Sequence, residues 1–111
     1  DTLQGLGQRA TTTVAPQALA MLNNKFVREY ARGFAQRIQA MQLSPELSLR
    51  RAYLEAYTRV PTAEEVSEGL AFLQQHQATH AVSQPGRAAE TLAWTDLCQA
   101  LLCANEFVYI P

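Results

Sequence analysis

Apolar side chains recur along most of this chain at three- and four-residue spacing, the period of a helix with one covered face. Between Asn24 and about Met41 the stripe reads Phe26, Val27, Tyr30, Ala31, Phe34, Ala35, Ile38 and Met41, with Arg28, Arg32 and Gln39 outside it. Gly33 interrupts it at a cost of about 1 kcal/mol against alanine and is a candidate for close approach by another helix. After a link at Gln42-Leu43, Ser44-Pro45-Glu46 supplies an N-cap, a proline at the first helical position and an acid in the first turn. The helix that follows places Leu49, Ala52, Tyr53, Ala56 and Tyr57 inside and stops at Arg59-Val60-Pro61, where the residue before proline leaves the α region.

Thr62-Ala63-Glu64-Glu65 has the spacing of a capping box. It opens a helix that buries Val66, Leu70 and Leu73, with Gly69 as a second close-approach candidate, and that frays between His76 and Val82. Ser83-Gln84-Pro85-Gly86 is a turn signal. A last helix runs from near Ala88 to near Ala104 on a stripe of Trp94, Leu97, Cys98 and Leu101, with Asn105 as its terminator. Ahead of these, Pro16 to Leu22 reads as a short leading helix, and residues 1–14, with two glycines and three consecutive threonines, read as an irregular lead-in. Phe107-Val108-Tyr109-Ile110 reads as an extended segment packed back on the rest. The expectation is an all-α bundle of four main helices with a short N-terminal helix and an extended C-terminal segment. Residues 15–111 would form one helical domain, cut from a longer protein.

Composition narrows what such a bundle can do. The 111 residues carry a net charge of −1, so there is no basic field for general nucleic-acid binding. No apolar run approaches the ~18 residues that would span a bilayer. Alanine (18) and glutamine (11) stand where charged residues would be more usual, and both suit helices. Charge is unevenly spread. Residues 25–59 carry an excess of +4, with Lys25, Arg28, Arg32, Arg37, Arg50, Arg51 and Arg59 against Glu29, Glu46 and Glu55. Residues 60–111 carry −5, with Arg87 against Glu64, Glu65, Glu68, Glu90, Asp96 and Glu106. Either the two halves face each other, or the first presents a basic patch to an acidic partner.

The reactive residue types form no familiar constellation. Covalent haem attachment needs Cys-x-x-Cys-His; here Cys98 and Cys103 are five apart with no histidine after them. On one helix they would sit about 7.5 Å apart along the axis and about 140° apart around it, beyond the ~6.8 Å Cα separation a disulfide tolerates. Two buried thiols are expected. His76 and His80 share a helix face, but a metal site needs three or four ligands, so the pair reads as a solvated helix end and no metal site is assigned. Glu64 and Glu68 share a face without a cleft to split their pKa values. Gly5-Leu6-Gly7 lacks a third glycine for a phosphate loop. No catalytic residue and no cofactor-binding residue is assigned.

Several segments together resemble one family: Arg9-x-x-Thr12-Thr13-x-x-Pro16-Gln17-Ala18-Leu19, Leu22-Asn23-Asn24-x-Phe26-Val27, Arg51-Ala52-Tyr53, and Arg59-x-Pro61-Thr62-x-x-Glu65. Asp96-Leu97-Cys98-Gln99-Ala100-Leu101-Leu102 and Asn105-Glu106-Phe107-Val108-Tyr109 complete the set. The combination resembles the C-terminal part of domain of unknown function 1553. That domain occurs in large secreted proteins of planctomycetes and related bacteria, commonly closing a chain that also carries a cytochrome-c-like domain. Two positions depart from the pattern: Cys103, where a polar Asn or Ser is more usual, and Lys25, where Pro is. The resemblance implies a periplasmic or extracellular location and haem only in the upstream part of the protein.

Three functions follow as expectations. The first is a non-catalytic module docking on upstream domains of the same protein or on a protein partner. The second is a contribution to an active site completed upstream, for haem-linked redox chemistry or polysaccharide breakdown. The third is a ligand pocket lined by Tyr53, Tyr57 and Trp94. Interaction candidates are Arg9, Gln17, Asn23, Arg59, Asn105 and Glu106. Arg59 is expected to reach Glu64 or Glu106, and full internal pairing of Arg59, Asn105 and Glu106 would remove the best residues for a shared site.

Overall fold

The computed structural model describes residues 25–104. Four helices occupy them: α1 (Lys25–Ala40), α2 (Pro45–Tyr57), α3 (Ala63–Ala81) and α4 (Arg87–Cys103). The expected leading helix and the extended segment at 107–110 lie outside the described residues, as do the candidates Arg9, Gln17, Asn23, Asn105 and Glu106. Among the described residues there is no strand, and the all-α expectation holds.

The helix ends follow from local chemistry. The Ser44 hydroxyl accepts the N–H of Leu47 at 3.2 Å, and Pro45 stands at the first helical position of α2. At the other end Thr58 adopts a left-handed conformation (φ 58°), with its N–H on the Leu54 carbonyl. That conformation sits uneasily on a β-branched residue and makes the sharp exit that Arg59-Val60-Pro61 continues. The capping box of α3 is complete: Thr62 Oγ1 accepts from the Glu65 N–H, and Glu65 returns a carboxylate oxygen to the Thr62 N–H. α4 starts one residue earlier than the pattern indicates, after Gly86 at φ 80°.

α4 is the centre of the packing, covered by α1 on one side and α3 on the other. Ten of its seventeen residues are buried, so the expected stripe of Trp94, Leu97, Cys98 and Leu101 widens to include Ala89, Ala93, Thr95, Ala100, Leu102 and Cys103. Val27, Ala31, Phe34, Ala35 and Ile38 pack on it from α1, Phe72 and Leu73 from α3, and Leu49, Ala52 and Tyr53 close the core from α2. Cys98 and Cys103 are free buried thiols, and Cys103 is wholly inside, where a thiol behaves as a small apolar group.

Two expectations fail here. Phe26 (83% exposed), Tyr30 and Met41 stand in water. At about 100° per residue, the eight-residue stripe spans about half the circumference of α1. Its neighbours cover only the arc around Val27, Ala31, Phe34, Ala35 and Ile38, leaving those three at one uncovered edge. Gly33 is no close-approach site, because a Cβ there would meet only an Arg37 side-chain nitrogen at 4.0 Å.

Gly69 is such a site: a Cβ there would lie 2.9 Å from Cδ2 and 3.0 Å from Cδ1 of the fully buried Leu49, so that side chain would have to shift within the core. This contact sets the approach of α2 to α3. Gly69→Ala is expected to destabilise by about 1–3 kcal/mol through overpacking, whereas Gly33→Ala, in an open helical position, stabilises by up to about 1 kcal/mol. Urea unfolding of the two variants against wild type checks both signs.

Candidate functional site

Two polar clusters tie the helices together. The first lies at the α2–α3 corner. Glu65, the residue that completes the capping box, has a side chain only 4% exposed. It is held by a two-pronged contact from Arg59, Nη1 to Oε1 at 2.8 Å and Nη2 to Oε2 at 2.9 Å. Arg59 also donates to the Val60 carbonyl and stacks its guanidinium over the rings of Tyr53 and Tyr57, at 5.5 and 5.7 Å. Tyr57 in turn donates its hydroxyl to the Leu101 carbonyl at 2.7 Å. Among the described residues the carboxylate that meets Arg59 is Glu65 rather than Glu64, because the capping box brings its side chain back over the helix start; the other expected partner, Glu106, lies outside the described residues. The Arg59 hydrogen bonds hold the Glu65 carboxyl below its ordinary value of 4.5, outweighing the upward push of burial.

The second cluster joins α1, α3 and α4. His76 and His80, one turn apart on α3, both reach Asp96 on α4: His76 Nδ1 and His80 Nε2 each lie 2.7 Å from the same oxygen, Oδ2. The other oxygen, Oδ1, accepts from Arg28 of α1 at 2.8 Å, and the same Arg28 nitrogen donates to Gln99 Oε1 at 2.9 Å. The His76 ring lies flat against Phe72, with centroids 4.0 Å apart and planes 11° apart. Burial works to raise the Asp96 pKa, but hydrogen bonds from His76, His80 and Arg28 prevail and lower it. The carboxylate is thus ionised near neutrality and has no proton to give. Both ring nitrogens facing it must be the ones that carry hydrogen.

The helix α3 ends at Ala81, inside the expected interval, but His76 and His80 are not the solvated end that the pattern indicates. α3 continues to Ala81 because the rings at 76 and 80 are anchored by Asp96 and Phe72. Sequence reasoning had the histidine pair but not its partner. The missing signal is that α3 and α4 are antiparallel neighbours across a short turn, which brings Asp96 beside His76 and His80.

Of the other expectations, the two charge halves do face each other at Arg28–Asp96 and Arg59–Glu65, while Arg37 and Arg51 both pair with Glu55 inside the basic half. None of the clefts described among residues 25–104 is lined by Tyr53, Tyr57 and Trp94 together. Tyr53 and Tyr57 pack edge to face, 5.4 Å between centroids. Trp94 instead borders two open clefts of about 220 Å³ each, beside Pro45 and Glu90.

Fold and clusters together define a small all-α module whose charged groups mainly staple helices to one another. The chain belongs to the family described as PSD1, protein of unknown function (DUF1553), whose model matches residues 2–73. The matched stretch takes in α1, α2 and α3 as far as Leu73, and therefore Arg28, Arg59 and Glu65; His76, His80 and Asp96 lie beyond it. The chain has no match among curated proteins or among solved structures.

Glu65→Gln is expected to lower stability at pH 7 by about 1–3 kcal/mol, less than a fully buried pair costs because Arg59 is one-third exposed. A carboxyl with a depressed native pKa stabilises the fold above its unfolded value of 4.5 and loses that contribution as pH falls through the native value. The gap between wild type and Glu65→Gln therefore closes on acidification below about pH 4.5, which denaturant unfolding at several pH values would show. Burial also raises the Cys98 pKa, and that of Cys103 to about 11. Both thiols are expected to react with an aromatic disulfide reagent far more slowly in the native protein than after unfolding, as followed by absorbance.

Proposed function

We propose that this chain is a non-catalytic helical docking module of a larger exported bacterial protein of planctomycete type. It would act in the periplasm or outside the cell, in a protein whose haem, where present, sits in an upstream cytochrome-c-like domain. The resemblance of its motifs supports the setting; the outer face of α2 supports the docking.

Five of the eight large apolar side chains exposed among the described residues fall between positions 41 and 60: Met41, Leu43, Leu47, Leu54 and Val60. Leu47 and Leu54 lie two turns apart on one side of α2, with Arg50 between them. Leu47, Arg50, Val60, Pro61 and Val66 border an open groove of about 220 Å³. This face is the observation that carries the reading. Arg28, Arg37, Arg51 and Arg59 are matched by carboxylates within the fold. Arg50 forms no ion pair among the described residues and borders the groove together with Glu46 and the apolar Leu47, Val60, Pro61 and Val66. The occupant that suits it is an amphipathic helix from the upstream part of the same polypeptide, laying apolar side chains into the groove and a carboxylate against Arg50. A shared active site is less well supported, since Arg59 is taken up by Glu65.

Titration calorimetry of this chain against the purified upstream part of its own polypeptide tests the reading. Leu47→Asp and Arg50→Glu are each expected to weaken binding at least about tenfold, the loss of one buried anchor or one matched charge. Both positions are exposed, so helicity by circular dichroism stays unchanged. Absence of binding, or binding indifferent to both substitutions, overturns it.

A further inference from the structure

We propose that His76, His80 and Asp96 form a binding site for a late first-row divalent metal ion, with zinc as its representative. The site is independent of the α2 face. Three potential ligand atoms, His76 Nδ1, His80 Nε2 and Asp96 Oδ2, lie within 4.8 Å of one another. They come from two helices fixed by the central packing, and their side chains are only 15%, 28% and 17% exposed. The distances are near those a metal requires. Ligand atoms about 2.1 Å from a tetrahedral ion stand about 3.4 Å apart, so the Asp96 oxygen has to retreat from each ring nitrogen by about 0.7 Å, a small rotation of its carboxylate. The ion then takes the place of the two N–H groups that point at Oδ2, and each imidazole carries its proton on the other nitrogen.

The surroundings do what outer ligand partners do elsewhere. Arg28 grips Oδ1 and is itself held by Gln99, which fixes the carboxylate while leaving Oδ2 to the ion. Phe72 fixes the plane of the His76 ring. Two imidazoles and one carboxylate favour zinc, copper, nickel or cobalt over magnesium and calcium, which prefer all-oxygen sites. Three protein ligands leave at least one coordination position for water or a further donor.

The test is a titration of the metal-free chain with cobalt(II), read by ligand-field absorption. One equivalent is expected to bind with the spectrum of a four- or five-coordinate ion, to be displaced by zinc, and to be unaffected by excess magnesium. His76→Gln and His80→Gln, checked for helicity by circular dichroism, are each expected to weaken binding at least about tenfold. Zinc is also expected to raise the thermal midpoint of wild type by several degrees and leave that of the double variant unmoved. No stoichiometric cobalt spectrum in the wild-type chain, equal competition by magnesium, or undiminished affinity in the double variant would overturn the proposal and leave the cluster a hydrogen-bonded clasp.

Discussion

A helix that is apolar on most of its sides has to be surrounded, and α4 imposes that condition on everything else in the described structure. Ala89, Ala93, Trp94, Leu97, Cys98, Leu101 and Leu102 do not lie on one narrow stripe; with Thr95, Ala100 and Cys103 they take up more than half of the helix circumference. Burial of that area, worth about 25 cal/mol per Å² removed from water, needs covering helices on two flanks, which α1 and α3 provide. α2 is left to close a corner, with Leu49, Ala52 and Tyr53 inside and Leu47 and Leu54 outside. The uneven distribution of exposed leucines and valines is thus a consequence of how α4 is enclosed.

Helix existence was legible because it depends on local signals that tertiary structure seldom reverses. Ser44-Pro45, Thr62…Glu65 and the turn before Arg87 act within a few residues, and each occurs where its chemistry places it. What the pattern cannot carry is which part of a broad apolar arc a neighbour covers. Phe26 is as apolar as Phe34, and only the position of α4 decides that Phe34 is inside. The two helical glycines illustrate the same limit. Gly33 and Gly69 read alike along the chain, yet only Gly69 has a leucine pressed against it.

The polar clusters divide along the same line. Half of the Glu65 site is a local capping box and was legible; that Glu65 and not Glu64 receives Arg59 was not, because the two differ only in the side of the helix they occupy. Asp96 was out of reach of local reasoning. It lies 20 and 16 residues from the two histidines and 68 from Arg28, and it read simply as one acid among several. Histidines at the end of a helix pattern fit a solvated end until the facing helix is in place.

Covering α4 also explains why both clusters consist of matched charges. Helices that enclose a helix on several sides meet at corners where apolar and polar faces run together, and a charge there loses part of its hydration. Such a loss is tolerable only if hydrogen bonds replace the water. Glu65 receives Arg59 and the Thr62 N–H, Asp96 receives Arg28 and two imidazoles, and no buried side-chain polar atom among the described residues lacks a partner. The two corners differ in what their donors can exchange. Arg59 offers Glu65 only N–H groups, which suits a staple. His76 and His80 present nitrogens that become lone-pair donors when the proton moves to the other side of the ring, and they converge on one carboxylate oxygen. The same requirement to satisfy a half-buried acid therefore yields a fixed ion pair at one end of α3 and a set of potential metal ligands at the other.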